Sequence, residues 1–180
     1  MIQLPPKRNM KAGKRRATFL VYIGLSVCAV SFMVAPPHKG DEPIIVYNAS
    51  ASVPVGWYRI LPSTDLAVGD LVLLRTPQTV RELADQRHYL PRTVPMLKHL
   101  AAISGDQVCA DGGIIRINGK RVVTRQSHDH LGRLMPSWQG CHTLGSDDVF
   151  VLNANAPYSF DSRYFGPVSA GLIKGRAVPL

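Results

Sequence analysis

No internal repeat and no low-complexity tract occurs in this sequence, which excludes a solenoid and a disordered scaffold as its organising plan. No acid occurs among the first 17 residues, where Lys7, Arg8, Lys11, Lys14, Arg15 and Arg16 lie. Those six bases carry most of the net charge of +9, because the other 15 of the 21 bases face 12 acids. The basic excess is a tail and not a binding face, which argues against nucleic acid as a partner. No charge of either sign occurs from Ala17 to Ala35. Cysteine is scarce: Cys28 falls in that uncharged run, which leaves only Cys109 and Cys141 beyond it. Six histidines are present, but His128, His130 and His142 lie in a polar stretch without a recognised ligand spacing. No metal and no cofactor is expected.

What is present divides the chain into four parts. Residues 1–16 read as a basic cytoplasmic tail, and residues 17–35 as a transmembrane helix, about the length a bilayer needs. The positive flank predicts that the N-terminus stays in the cytoplasm and the remainder is exported, a single-pass anchor with the domain outside the cytoplasm. A cleaved signal peptide is the rival reading. Its apolar region would be shorter, and Ala35-Pro36-Pro37 makes a poor cleavage site. Residues 36–43 are a linker, and residues 44–180 form one domain, long enough for a real core.

That domain reads as mainly β. Strands are expected at Pro43–Tyr47, Trp57–Leu61, Leu71–Leu74, around Lys98, at Gln107–Cys109, Ile114–Ile117, Lys120–Thr124, Asp148–Leu152 and Leu172–Val178. Asn118-Gly119 between two apolar strands signals a tight hairpin. Thr79-Val-Arg-Glu82 has the pattern of a capping box, which predicts one short helix running to about Tyr89. Residues 125–140 are polar and irregular. This spacing predicts a β sandwich or a barrel-like coil with one short helix.

Two stretches carry the candidate chemistry. Ser50 and Ser52 stand two residues apart in Asn48-Ala-Ser-Ala-Ser-Val-Pro-Val-Gly-Trp-Tyr58, and in an extended chain both hydroxyls share one face. Pro54 and Gly56 then make a corner, where a nucleophile would sit exposed. A plain polar turn is the alternative. Lys98 lies in the apolar run Pro95-Met-Leu-Lys-His-Leu-Ala-Ala, either as an edge-strand device or as a buried amine. A buried amine loses affinity for its proton and can deprotonate a serine hydroxyl.

In order, Ser50-x-Ser52-x-Pro54, Lys98 with Gly105-Asp106, and Tyr158-Ser-Phe-Asp-Ser-Arg-Tyr-Phe-Gly166 resemble the boxes of type I signal peptidases. The Ser-Val-Pro-Val-Gly-Trp-Tyr form is closer to the TraF-type peptidases of conjugative transfer systems. The resemblance covers roughly residues 44–180. It implies Ser52 as nucleophile, Lys98 as general base, Ser50 as an oxyanion-hole hydroxyl, Ser159 as the group orienting the amine, and Asp161 with Arg163 as its support. An Asp against the amine would keep it charged, so Asp161 is expected to pair with Arg163. A polar turn with one surface ion pair is the alternative for that segment. His99, next to Lys98, should face the other way and so take no part in a Ser-His-Asp arrangement. Cys109 and Cys141, the two cysteines of the exported part, are expected to form a disulfide, with free buried thiols as the alternative.

The implied activity is a membrane serine endopeptidase that processes an exported precursor, a conjugative pilin, through an acyl-enzyme. Its partners would be that precursor, the membrane and a conjugative transfer apparatus. The resemblance also implies an alternative fate, transfer of the acyl group to the substrate's own N-terminal amine to give a circular subunit. A non-catalytic periplasmic module of a conjugation or secretion complex is the reading of another class.

Overall fold

The computed structural model describes residues 45–180. The basic tail, the anchor and the linker read from the sequence lie outside the described residues. Among the described residues, no helix is long and apolar enough to cross a membrane.

The domain is mainly β and has two sheets, all of whose strand pairs are antiparallel. The larger is built from β1 (Ile45–Asn48), β2 (Gly56–Leu61), β3 (Leu71–Leu74), β4 (Met96–Ala102), β9 (Asp148–Leu152), β10 (Val168–Ser169) and β11 (Ile173–Pro179), in the spatial order β1-β2-β11-β3-β4-β9-β10. The smaller holds β5 (Gln107–Asp111), β6 (Ile114–Ile117), β7 (Lys120–Thr124) and β8 (Gly140–Thr143), in the order β7-β6-β5-β8. It leaves the larger sheet after β4 and returns at β9, β4's neighbour. Its neck is closed by backbone bonds from Gly105 N to Leu144 O and from Leu144 N to Asp106 O, both 2.9 Å.

Strand alternation explains the cores. In β3, Val72 and Leu74 face one apolar cluster with Met96, Leu100 and Val151, while Leu73 faces another with Val53, Tyr58, Leu97 and Ala177. β9 likewise splits, with Val151 in the first cluster and Phe150 and Leu152 in a third with Val108, Ala110 and Ile115 of the small sheet. Strands covered on both faces lose polar alternation, which is why Leu71–Leu74 and Val149–Leu152 read as unbroken apolar runs. Asn118 and Gly119 hold φ values of 49° and 77°, the left-handed pair that a two-residue hairpin needs. At Gly175 in β11 the register shifts, and an added Cβ would strike the Leu61 carbonyl. That close approach requires glycine.

Three expectations change. The helix, α1 (Gln78–Gln86), begins at Pro77 with no side-chain cap bond. Thr79 is already inside the first turn, so the capping box is not formed. Pro77 presets the entry φ, and the Arg81 guanidinium covers the Thr76 carbonyl from Nη2 at 2.8 Å. β8 comes from a segment read as a loop end. Its four residues are exposed and carry no apolar alternation, so its pairing partner β5 creates the strand. A second helix, the four-residue α2 (Ser162–Phe165), caps itself through the Asp161 carboxylate, which accepts from Arg163 N.

Candidate active site

The serine corner is a turn and not the extended segment expected from the i, i+2 spacing. Residues 50–53 bend between β1 and β2, and the organiser is Asn48, 8% exposed at the end of β1. Its amide nitrogen donates to the carbonyls of Ser50, Val53 and Pro54 at 2.8, 3.0 and 3.0 Å. Its amide oxygen accepts from Ser50 N at 3.1 Å and from Ser50 Oγ at 2.8 Å. Tyr58 Oη adds a bond to the Pro54 carbonyl at 2.7 Å. The turn brings Ser50 Oγ and Ser52 Oγ within 2.9 Å of one another, with Ser52 half-buried and Ser50 exposed.

Lys98 is not on an edge. β4 lies between β3 and β9, Val72 stands opposite Lys98, and the side chain is only 5% exposed. It shares its face of β4 with Met96 and Leu100, whereas His99 points to the other side and is exposed. Burial lowers the amine from its ordinary 10.5 to about 8. Asp161 pushes back up and Arg163 pushes further down, both weaker than the desolvation. Nζ donates to Ser159 Oγ at 2.8 Å.

Asp161 and Arg163 pair with each other. Nε meets Oδ1 at 2.7 Å and Nη2 meets Oδ2 at 3.0 Å, with both side chains at 1% exposure or less. The surface ion pair considered from the sequence is therefore a buried two-pronged one. Arg163 also donates to the carbonyls of Pro157 from Nη1 (3.1 Å) and Asn153 from Nη2 (2.8 Å). A buried pair left incomplete would be costly, and here each member has further hydrogen bonds.

The serine and lysine halves meet through apolar packing. Val53, directly after Ser52, belongs to the same cluster as Leu97, directly before Lys98. Ser52 has its hydroxyl partner in Ser50, while Lys98 has its partner in Ser159. His99 Nδ1 lies 3.1 Å from Asn153 Oδ1, and His128 Nδ1 lies 3.0 Å from Ser127 Oγ. Among the described residues no group of three His, Cys, Asp or Glu side chains is placed to hold a metal.

The structure shows a turn with two paired serine hydroxyls and a buried amine, with no hydrogen bond between Ser52 Oγ and Lys98 Nζ. The family model described as "Signal peptidase, peptidase S26" matches residues 14–180. The chain belongs to that signal peptidase family. Membership supports a serine peptidase. Relatives include the plasmid transfer protein TraF of Escherichia coli, 31% identical over 137 residues, covering 71% of this chain and 76% of that protein. A probable conjugal transfer protein TraF of Sinorhizobium fredii is 34% identical over 143 residues, covering 72% and 73%. The conjugal transfer protein TraF of Agrobacterium tumefaciens is 32% identical over 172 residues, covering 89% and 93%. Among solved structures, a signal peptidase I from Enterococcus faecalis aligns with 20% identity and a TM-score of 0.38, covering 63% of this chain and 97% of that one.

Two residues of this signal peptidase family member were not singled out from the sequence. Asn48 is one. The other is Asn153, buried just past β9, whose Nδ2 donates to Leu97 O at 3.1 Å and whose Oδ1 accepts from His99 N at 3.2 Å. It thus holds the backbone on both sides of Lys98, and its own N–H donates to Asp161 Oδ2 at 3.0 Å. Each asparagine closes a strand directly before a turn, a position where an Asx side chain bonds to nearby backbone, and that was the available signal. In the small sheet, Cys109 and Cys141 face each other across β5 and β8 and form a disulfide, with Cα atoms 4.0 Å apart. Behind α2, Trp138 Nε1 donates to Ser162 O at 3.0 Å and Arg125 Nη1 to Trp138 O at 3.1 Å. The loop leading to β8 is thereby tied to the element that carries Arg163.

Proposed function

We propose that this chain is a membrane-anchored serine endopeptidase with a Ser52–Lys98 dyad, acting on an exported, pilin-like precursor in conjugative transfer. The observation that carries the reading is Lys98: a buried lysine amine lowered to about 8, held by a hydroxyl and not by a carboxylate. Near neutral pH roughly a tenth of such amines are unprotonated and able to act as base. Ser52 Oγ attacks the scissile carbonyl carbon while Lys98 Nζ takes its proton. The Ser50 hydroxyl and the Ser52 backbone N–H receive the oxyanion. Collapse of the tetrahedral intermediate expels the leaving amine, protonated by Lys98, and leaves an ester on Ser52. Water then hydrolyses that ester. Ser159 fixes the amine's direction without recharging it, and the Asp161–Arg163 pair holds the Ser159 segment in place.

The conjugal and plasmid transfer relatives support the setting, and the uncharged run 17–35 behind a basic tail supports an anchor with the domain in the periplasm. A disulfide agrees with an oxidising compartment.

The test is to incubate the full-length protein, in membranes, with pilin precursors from its own genetic neighbourhood. The expected result is a shortened product that disappears with Ser52→Ala and with Lys98→Ala. Lys98→Arg should fail too, because arginine keeps the charge and cannot serve as base. Product mass separates two fates of the ester, since a circular subunit is lighter by one water than the linear one. Processing that survives both alanine variants would leave the non-catalytic module as the better reading.

A further inference from the structure

The hydroxyl bond between Ser50 and Ser52 has a direction, and Asn48 sets it. The Asn48 amide is oriented by its surroundings: three carbonyl oxygens face one end, and the Ser50 backbone N–H faces the other. Flipping it would set its oxygen against three oxygens and its nitrogen against a donor, so Oδ1 is the acceptor end. Ser50 Oγ lies 2.8 Å from that oxygen and has one proton to give. If that proton pointed elsewhere, two lone-pair-bearing oxygens would stand against each other at hydrogen-bond distance. The Ser50 proton is therefore committed to Asn48. Ser50 can then only accept from Ser52, at 2.9 Å.

We propose that Asn48 is a positioning residue that parks the nucleophile's proton: in the resting enzyme Ser52 donates to Ser50, Ser50 donates to Asn48, and the substrate must reverse this order. Resting on the peptidase reading above, the reversal is one rearrangement. An incoming carbonyl oxygen takes the Ser50 proton from Asn48 as its hydrogen-bond partner. Ser50 turns, its lone pairs leave Ser52, and the Ser52 proton is released toward Lys98 Nζ. No covalent bond changes in this step. Oxyanion binding and nucleophile release thus become a single event, triggered by a carbonyl at the site. Asn48 also holds the turn that makes the exchange local, since its three carbonyl bonds do not involve the moving hydroxyls.

Two measurements on the full-length protein decide the matter. Neutron diffraction from deuterium-exchanged crystals should place one deuteron on Ser52 Oγ pointing at Ser50, and one on Ser50 Oγ pointing at Asn48 Oδ1. The opposite order, Ser50 donating to Ser52, overturns the proposal. This readout does not depend on turnover, so it stands even if the peptidase reading fails. The second is a double-mutant cycle on precursor cleavage. Asn48→Ala should lower kcat about tenfold or more with KM within about twofold, the pattern of a transition-state defect. In a Ser50→Ala background the same change should cost less than about threefold, because the hydroxyl it acts through is gone. Equal losses in both backgrounds would mean that Asn48 only shapes the turn, and would refute the wiring. If Asn48→Ala does not fold, the deuteron positions in the wild-type protein decide the proposal by themselves, under the criterion given above.

Discussion

Replacing Lys98 by methionine should make the domain more stable at neutral pH and less stable in base. The amine sits at about 8 in the fold and near 10.5 when the chain is unfolded. Between those values the unfolded chain binds more proton than the native one, so stability rises with pH across that window. At pH 7 nearly all of the shift is felt as a cost of about 3 kcal/mol, and by pH 10 less than about 1 kcal/mol of it remains. Methionine has an unbranched stem of similar length and carries no proton. It forfeits the bond to Ser159 Oγ, worth about 1 kcal/mol. The difference between variant and wild type should therefore run from about 2 kcal/mol stabilising at pH 7 to about neutral or slightly destabilising at pH 10. Other groups titrate equally in both proteins and cancel. Urea unfolding of the full chain in detergent reads this directly through Trp57 and Trp138, the chain's two tryptophans. An offset of the same size at both pH values would refute the desolvated amine, and with it the argument for Lys98 as base.

Precursor cleavage should rise with pH and level off above about 8, since the base must be unprotonated. A flat profile across pH 6–9 with chemistry rate-limiting would contradict this. Reducing the Cys109–Cys141 bond frees a loop spanning 32 positions and should cost about 4 kcal/mol in the chain-entropy account, seen as a lower denaturation midpoint with reductant present. Gly175→Ala should cost about 1–3 kcal/mol, because its Cβ meets the Leu61 backbone and Ile60 together. A melting temperature unchanged from wild type would show that β11 can shift to make room. Asn153→Ala should reduce kcat by tenfold or more, because the backbone on either side of Lys98 loses its anchors. Retained kcat at full folding would assign Asn153 to stability alone.

The strands were legible where burial leaves a signature in composition. Leu71–Leu74 and Asp148–Leu152 are packed on both faces and read as apolar runs, and Asn118-Gly119 announced its hairpin by backbone preference alone. β8 was illegible for the converse reason: Gly140-Cys-His-Thr143 is exposed along its length and carries no apolar alternation, and its pairing with β5 makes it a strand. At the serines, the i, i+2 spacing pointed to a shared face by strand alternation. The closeness arises instead from a turn around Asn48, a many-bonded centre that no spacing rule encodes. The capping box failed because Thr79-Val-Arg-Glu82 follows Pro77, which had already started the helix. Lys98 stood out as one charge in an apolar run. The asparagine that holds its strand did not, since its partners lie 54 and 56 positions away.

The place of β11 in the larger sheet imposes an order of assembly. β1 and β2 carry the serine turn, β3 and β4 carry the lysine, and no direct pairing joins β2 to β3. β11, the last of these strands in chain order, is inserted between them, with Arg176 across from Leu61 on one side and Val72 on the other. Until residues 173–179 arrive, the chain has two separate half-sheets with a serine on one and an amine on the other. A segment emerging from N- to C-terminus would thus be inert until its final strand zips the halves together, and loop closure over more than a hundred residues makes that the slow event. On the proposed Ser52–Lys98 reading, the two groups join one sheet only when that strand is in place. The domain's maturation clock is the arrival of one strand.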